Sequence, residues 1–363
     1  MSTGIANTQL LDLLQTTTAH YPWDGKFAAL FETRSFPGIN EFLSRRHETV
    51  EGGTTYDWRV KYKRGGQASA VEINDTIDPS VVNVLATASV PWRQYNTHWT
   101  VNRREMLRNK GRAKLIELVK VRRFDAMEDL AELLEGHLWA NLPSANTTFV
   151  WPVPYWLPQA TSTTHTTGWV GQNPVDSGGT SLSDCAGIDA SSATYELWRS
   201  YQSIWGADGA NGSAPSFTAG DLAKIRAMFR ALKFEAPFMV KDNSPARALR
   251  YYANDTTIGA FETIADSRND NIGFDIAKVA ENIAIKGVPV SYVAKLDTDT
   301  TNPLYAINHN FFRCLVLKGD YLRESEPMND VTQHNTFTTH VDLTVQTQMK
   351  DRRRGGGVIC RPA

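Results

Sequence analysis

Cysteine is scarce in this sequence, and so is any excess of charge. The 363 residues include three cysteines, Cys185, Cys314 and Cys360. They are odd in number and widely spaced, and none lies in a C-x-x-C pair. Neither a disulfide framework nor a thiolate zinc site is indicated. Lysine and arginine total 38 against 39 acidic residues, a formal net charge of −1. That balance gives no global pull toward nucleic acid. The chain also lacks an apolar run of about 18 residues, so no helix is expected to span a membrane. The start MSTGIANTQLLDLLQ has no basic segment leading into an apolar one, unlike a signal peptide. A protein made and kept in a cytoplasm-like compartment is expected.

Catalytic signatures are missing too. There is no phosphate-binding G-x-x-x-x-G-K-[ST], no H-E-x-x-H, no G-x-S-x-G and no G-x-G-x-x-G. The eight histidines are scattered. His340 falls on the polar side of a strand pattern, and His137 suits the negative end of a helix dipole. Glu324, Glu326, Asn329 and Asp330 lack the spacing of a calcium loop and read as a solvated acidic loop. No catalytic, cofactor-binding or metal-ligating residue is assigned, and no enzyme activity is expected.

What the chain does have is length in its elements. Residues 112–141 form one helical pattern, with Ile116, Val119, Ala126, Leu130, Leu133, Leu134 and Leu138 at three- and four-residue steps. Lys120, Arg122, Arg123, Glu128, Glu132 and Glu135 hold the other side. This is far longer than a typical helix of about 11–12 residues and suits a spine on which other elements are laid. Near the C-terminus, Phe337, Val341, Leu343, Val345 and Met349 alternate with polar residues, a strand of about 13 residues where about 5–6 is usual.

In chain order, residues 1–50 give short helical pieces at Gln9–Leu14, Lys26–Phe31 and Ile39–Ser44, an arm that needs something to lie against. Tyr56, Trp58, Val60 and Tyr62 alternate with charged residues, and Tyr95, Thr97, Trp99 and Val101 alternate with polar ones. These two strands are expected to pair as a long antiparallel hairpin with an extended tip. Arg103–Lys110 reads as a short basic helix. Residues 143–185, rich in Pro, Trp and Thr, read as a long loop. From about Ser191 a small α/β unit is expected: helix-like Thr194–Ile204, a capped helix after Thr218-x-x-Asp221, a strand at Phe238–Val240, a helix from Ser244 through Tyr252, another at Ile258–Ala265, and strand pieces at 288–293. Strands at 305–307 and 311–318 precede the long terminal strand.

This order of parts resembles the major capsid proteins of tailed bacteriophages, a shell fold shared with encapsulins. The carrying segments are EGGTTYDWRVKYKRGG, VPWRQYNTHWTVNRREMLRNKG, the spine RAKLIELVKVRRFDAMEDLAELLEGHLWANL, KGVPVSYV with Leu304–Asn308, and VDLTVQTQMKDRRRGGGVI. The resemblance implies an α+β phage-capsid fold: an N-terminal arm (1–50), an extended loop (51–102), a peripheral domain (103–190, with return strands in 302–363) and an axial domain (191–301). It implies self-assembly into hexamers and pentamers of an icosahedral shell around double-stranded DNA held without sequence preference. Portal, scaffolding or decoration proteins are the implied partners, and the virion the implied location, with assembly in the host cytoplasm. Segment 143–185 is longer than this pattern leads one to expect.

Aromatic residues are favoured in interface cores. Trp58, Tyr62, Tyr95 and Trp99 are therefore the candidate subunit-interface residues, with the run Arg352, Arg353 and Arg354 as a candidate for pairing with acidic groups of a neighbour. Two other readings fit the sequence: an encapsulin-like compartment shell, and a carbohydrate-binding or hydrolytic protein using the Trp-rich loop 151–169.

Overall fold

The computed structural model describes residues 36–44, 47–66, 68–73, 82–108, 112–144, 148–160, 167–206, 218–232, 249–267, 284–285, 288–329 and 335–361. The helical readings at Gln9–Leu14 and Lys26–Phe31, and the strand reading at Phe238–Val240, lie outside these residues.

Strands β1 (His47–Val50), β2 (Thr55–Lys61), β3 (Leu85–Pro91) and β4 (Arg93–Asn102) precede helices α1 (Arg103–Arg108) and α2 (Arg112–Trp139). Then come β5 (Gly168–Val170), β6 (Ser200–Ile204), α3 (Ala219–Leu232), β7 (Leu249–Ala253), α4 (Asp255–Ser267), β8 (Ala284–Ile285) and β9 (Val288–Tyr292). The chain closes with β10 (Leu304–Asn308), β11 (Phe312–Leu317), β12 (Arg323–Glu324), β13 (Met328–Asn329), β14 (Thr336–Met349) and β15 (Gly356–Cys360). Both long elements are present, with 28 residues in α2 and 14 in β14.

The residues divide into two compact units. The first comprises Tyr95–Glu132 and Leu322–Leu343. Here β12 and β13 run antiparallel to the first half of β14, and β4 also pairs with β14. Ala126 and Leu130 of α2 are buried, as the helical period requires. Arg122 donates to Thr100 O at 2.5 Å and to Glu105 Oε1 at 2.8 Å.

The second unit holds Phe36–Gln94, Leu133–Tyr321 and Thr344–Ala363. A mixed sheet runs β5-β6-β15-β10-β7-β9-β8. Ile225, Met228 and Phe229 of α3 pack against it with Tyr251, Val290 and Ile359. The Thr218–Asp221 box closes α3 as read: Thr218 N reaches Asp221 Oδ2 at 3.0 Å, and Asp221 N reaches Thr218 Oγ1 at 3.3 Å. Elsewhere in this unit β1 lies parallel to β11, which runs antiparallel to Val345–Met349.

Three local readings are corrected. Thr194–Ile204 is a short 3₁₀ turn (Ala193–Trp198) followed by β6, a strand buried at every position. The helix read through Tyr252 is β7 over its described part, its five residues paired with β10 and three of them with β9. The third correction concerns 143–185. WPVPYWLP forms a short helix, Val153–Trp156, whose four residues are all buried. Trp156 is fully enclosed and donates to Thr347 Oγ1 at 2.8 Å. The loop texture in the sequence comes from prolines. What it builds is core, so Trp156 is withdrawn from any ligand platform at 151–169.

The glycine run after the arginines is a packing requirement. A Cβ on Gly356 would lie 2.5 Å from Ala306 O, and one on Gly355 2.6 Å from Met349 Cγ. No real side chain fits 2.5 Å from a backbone oxygen, so β15 can lie against β10 only with glycine at 356.

Candidate assembly surfaces

The hairpin pairs differently from the sequence reading. β2 is joined antiparallel to β3, with Tyr56 opposite Val90, Trp58 opposite Ala88 and Val60 opposite Ala86. Strand β4, which carries Tyr95 and Trp99, belongs instead to the sheet with β14. The physical reason is complementarity of size. Large side chains on β2 face small ones on β3, and Ala88 and Val90 are completely covered. The period-two alternation itself holds, since in β2 Tyr56, Trp58 and Val60 are the less exposed set.

The candidate interface residues fall into different environments. Trp58 is half-buried; its Nε1 donates to Lys350 O at 3.3 Å, and its ring lies 6.3 Å from Trp156. Tyr62 is half-buried, donates to Asn83 O at 2.9 Å and packs 4.9 Å from the Tyr195 ring. Backbone bonds from Tyr62 N to Val84 O and from Leu197 N to Tyr62 O, both 3.0 Å, anchor the same point. Trp99 is half-buried, and its Nε1 is enclosed without an acceptor among the described residues. Tyr95 is only 6% exposed. That corrects its assignment: a side chain already covered by its own subunit offers no area to a neighbour.

Arg352 is corrected for the same reason. It is 0% exposed. Its Nε donates to Trp156 O at 2.8 Å, its Nη2 to Gln172 O at 2.8 Å and its Nη1 to Trp198 O at 3.5 Å. The planar fork of arginine thus ties three chain segments together through their carbonyl dipoles. Burial lowers its pKa from the ordinary arginine value. Arg353 and Arg354 are half-buried at the surface. Arg354 pairs with Asp351 at 3.4 Å, while the Arg353 guanidinium lies over the Trp169 ring, 4.6 Å from its centre. Asp351 caps this turn by accepting from Arg353 N at 3.0 Å.

A residue that the sequence reading set on the charged side of the spine proves to be an anchor. Glu135 is 2% exposed and accepts from Gly38 N at 3.0 Å, Ile39 N at 2.7 Å and Trp139 Nε1 at 2.7 Å. Burial raises its pKa, and these three donors and Lys295 counter the rise. It fastens the short helical segments Pro37–Ile39 and Asn40–Ser44 to α2. Beside them Phe42 packs 5.0 Å from the rings of His309 and Phe312. Glu135 shares the spacing of Leu134, Leu138 and Trp139, a signal that was available in the sequence. His137 stacks on Phe149 at 3.6 Å, and burial lowers its pKa. That environment disfavours the cation which the helix-dipole reading had in mind.

The exposed apolar side chains lie elsewhere. Ile73 is 94% exposed and Val71 52%, both beyond the paired part of the hairpin. Leu107, Phe124 and Met328 are exposed on the first unit. No group of His, Cys, Asp and Glu among the described residues is arranged to hold a metal. All three cysteines are free and buried. No described helix is long and apolar enough to cross a membrane.

No protein-family model matches the chain, and no curated protein does. Solved structures do. A chain of the cyanophage A-1(L) capsid asymmetric unit is 15% identical, with a TM-score of 0.60 over 97% of this chain and 99% of that one. A chain from the capsid of an empty GTA particle is 13% identical, with a TM-score of 0.55 over 91% and 98%. A chain of Microbacterium phage Oxtober96 is 12% identical, with a TM-score of 0.53 over 99% and 100%. The chain has the phage major-capsid fold. Its α+β elements match those of the capsid chains over nearly their whole length.

Proposed function

We propose that this chain is the structural capsid protein of a tailed phage or a phage-like particle, and that it self-assembles into an icosahedral shell enclosing double-stranded DNA. The supporting observation is the two-way coverage with the A-1(L) capsid chain, 97% of this chain and 99% of that one. In this reading residues 51–102 include the extended loop, 103–190 and 302–363 the peripheral domain, and 191–301 the axial domain. Hexamers and pentamers of the chain make the shell, with portal, scaffolding or decoration proteins as further partners. The DNA is held without sequence preference, in keeping with a net charge of −1. The role is structural rather than catalytic, and the location is the virion after assembly in the host cytoplasm.

The hairpin supplies the contact. Two-stranded hairpins are marginal in water alone. This one is fastened along its paired part by Trp58, through Lys350 O, and at the tip end of the pairing by Tyr62, through Leu197 N, and leaves Val71 and Ile73 uncovered. Heterologous contacts made by such an element close into rings. The test is expression of the chain followed by size exclusion and negative-stain microscopy. Megadalton closed particles are the expected result; a folded, subunit-sized species would refute the reading.

A further inference from the structure

Three arginines of the second unit, Arg64, Arg199 and Arg353, make no ion pair among the described residues. Arg353 lies over Trp169 and makes no side-chain hydrogen bond or ion pair among the described residues. Burial and the neighbouring Arg64 and Arg199 guanidinium groups hold its pKa below the ordinary arginine value, against the pull of Asp351 and Glu196. The Nε of Arg199 is enclosed without an acceptor among the described residues. It sits where Gly171 leaves room, since a Cβ there would come within 3.0 Å of that Nε. Asp351 is taken up by Arg354 at 3.4 Å and by the Arg353 amide. The Leu197 N to Tyr62 O bond at 3.0 Å brings the chain around Arg64 to that around Arg199, and Arg199 beside Gly171 and Arg353 over Trp169 lie along the same stretch of chain, with Glu196 as a neighbouring carboxylate. Like charges held together in this way are repulsive in the isolated subunit, and an anion seated among them would relieve that repulsion.

The first unit carries the opposite arrangement. Asp125, Glu128 and Asp129 follow one another on α2 at three- and four-residue spacing, and Asp125 and Asp129 are exposed. Partial burial, with the Asp125 and Glu132 carboxylates nearby, raises the pKa of Asp129. The nearest cations of the same helix are engaged elsewhere: Arg122 with Glu105 at 2.8 Å and Arg123 with Glu324 at 2.5 Å. Carboxylates at this spacing are mildly destabilising in a helix on its own.

We infer that the Arg64–Arg199–Arg353 cluster of one copy docks the Asp125–Asp129 stripe on the spine helix of a second copy, as one contact of the assembly proposed above. The inference rests on that shell reading and names a pair of surfaces within it. The two patches are complementary in sign and lie in different units of the chain. A head-to-tail contact between copies uses both and leaves each copy with one of each free to continue the ring. Charge pairs of this kind set partner register and weaken as salt rises.

The test is charge reversal. Arg64→Glu with Arg353→Glu, and separately Asp125→Lys with Asp129→Lys, should each lower the yield of closed particles by roughly tenfold or more. A chain carrying all four changes should recover particle yield to within about threefold of the unaltered chain, because the pairing is restored with its signs exchanged. Thermal melting of the unassembled subunits checks that the variants fold. The lighter pair Arg64→Glu and Asp129→Lys, both at exposed positions, repeats the comparison with less disturbance of Trp169. Recovery in the combined chain supports the contact. Four-site or two-site chains that assemble no better than their parents overturn it. So does an arginine-reversed chain that assembles normally but loses binding to a labelled DNA duplex, which would make the cluster a phosphate site. Should the unaltered chain form no particles, the shell reading fails and this contact falls with it. Normal particles from the unaltered chain and from every variant remove the contact alone.

Discussion

Arg352 shows how far a residue type can mislead. In the sequence it is the first of three consecutive arginines, and a run of like charges suggests a surface. In the fold it is wholly buried and donates to the carbonyls of Trp156, Gln172 and Trp198. Removing it leaves those carbonyls without their donors and enclosed, at about 1–3 kcal/mol for each group. Arg352→Met is expected to destabilise the subunit by about 3–5 kcal/mol, and Arg352→Lys to recover little, since an ammonium cannot present a planar fork to three acceptors. The urea midpoint of unassembled subunits measures this, and an unchanged midpoint would contradict it. At the same scale, Asp221 links stability to pH. Burial pushes its pKa up, but the Thr218 hydroxyl and amide and the Lys224 ammonium outweigh that and hold it below the ordinary 3.8. A lowered carboxyl pKa adds stability that is present above the unfolded value and lost as pH falls through the folded one. Acid unfolding of the unaltered chain should therefore be steeper below about pH 4 than that of Asp221→Asn, read by helical circular dichroism.

Among the elements, α2, α4 and β14 could be read directly, because each has a sustained period and no internal proline. Strand β3 could not. LATASVP is built of small residues because Ala88 must sit opposite Trp58, and small side chains leave almost no period in the sequence. The wrong partner for β2 followed from that: β4 has the stronger aromatic alternation, but it pairs with β14. Segment 151–158 failed for a related reason. Its prolines imitate a loop, while Val153, Trp156 and Leu157 are fully enclosed. Of the candidate interface residues, Trp58 and Tyr62 are half-buried on the paired part of the hairpin and at its tip end, while Tyr95 and Arg352 are enclosed. Glu135 was missed because a charged residue on a helix was given to solvent, when three N–H donors were waiting for it. For the hairpin, shortening is the decisive change. Replacing residues 66–81 by a tight turn keeps the bonds of Tyr62 to Asn83 and Val84 and removes Val71 and Ile73. The subunit should melt within a few degrees of the unaltered one, because those side chains bury little within their own chain. Closed particles should be absent in negative stain; normal particles from this variant would show that the hairpin makes no essential contact.

Taken as one chain, the protein has the capsid fold with no family-level sequence match to support it. At 15% identity to the A-1(L) capsid chain, individual motifs carry little. The order of elements carries the likeness, since order and element length are set by hydrophobic period and turn chemistry, which survive replacement of nearly every side chain. In the shell reading proposed above, the exposed apolar residues on the hairpin and on the first unit, together with the arginines and acids that make no ion pair among the described residues, are the surfaces that neighbouring copies would cover. The direct measurement is sedimentation velocity of the purified chain at moderate salt, with negative-stain images of the fastest fraction. Self-assembly into closed shells of uniform diameter, dispersing as salt is raised, is the result this account expects. A single slow boundary of folded, subunit-sized protein that persists across concentrations and salt would contradict it.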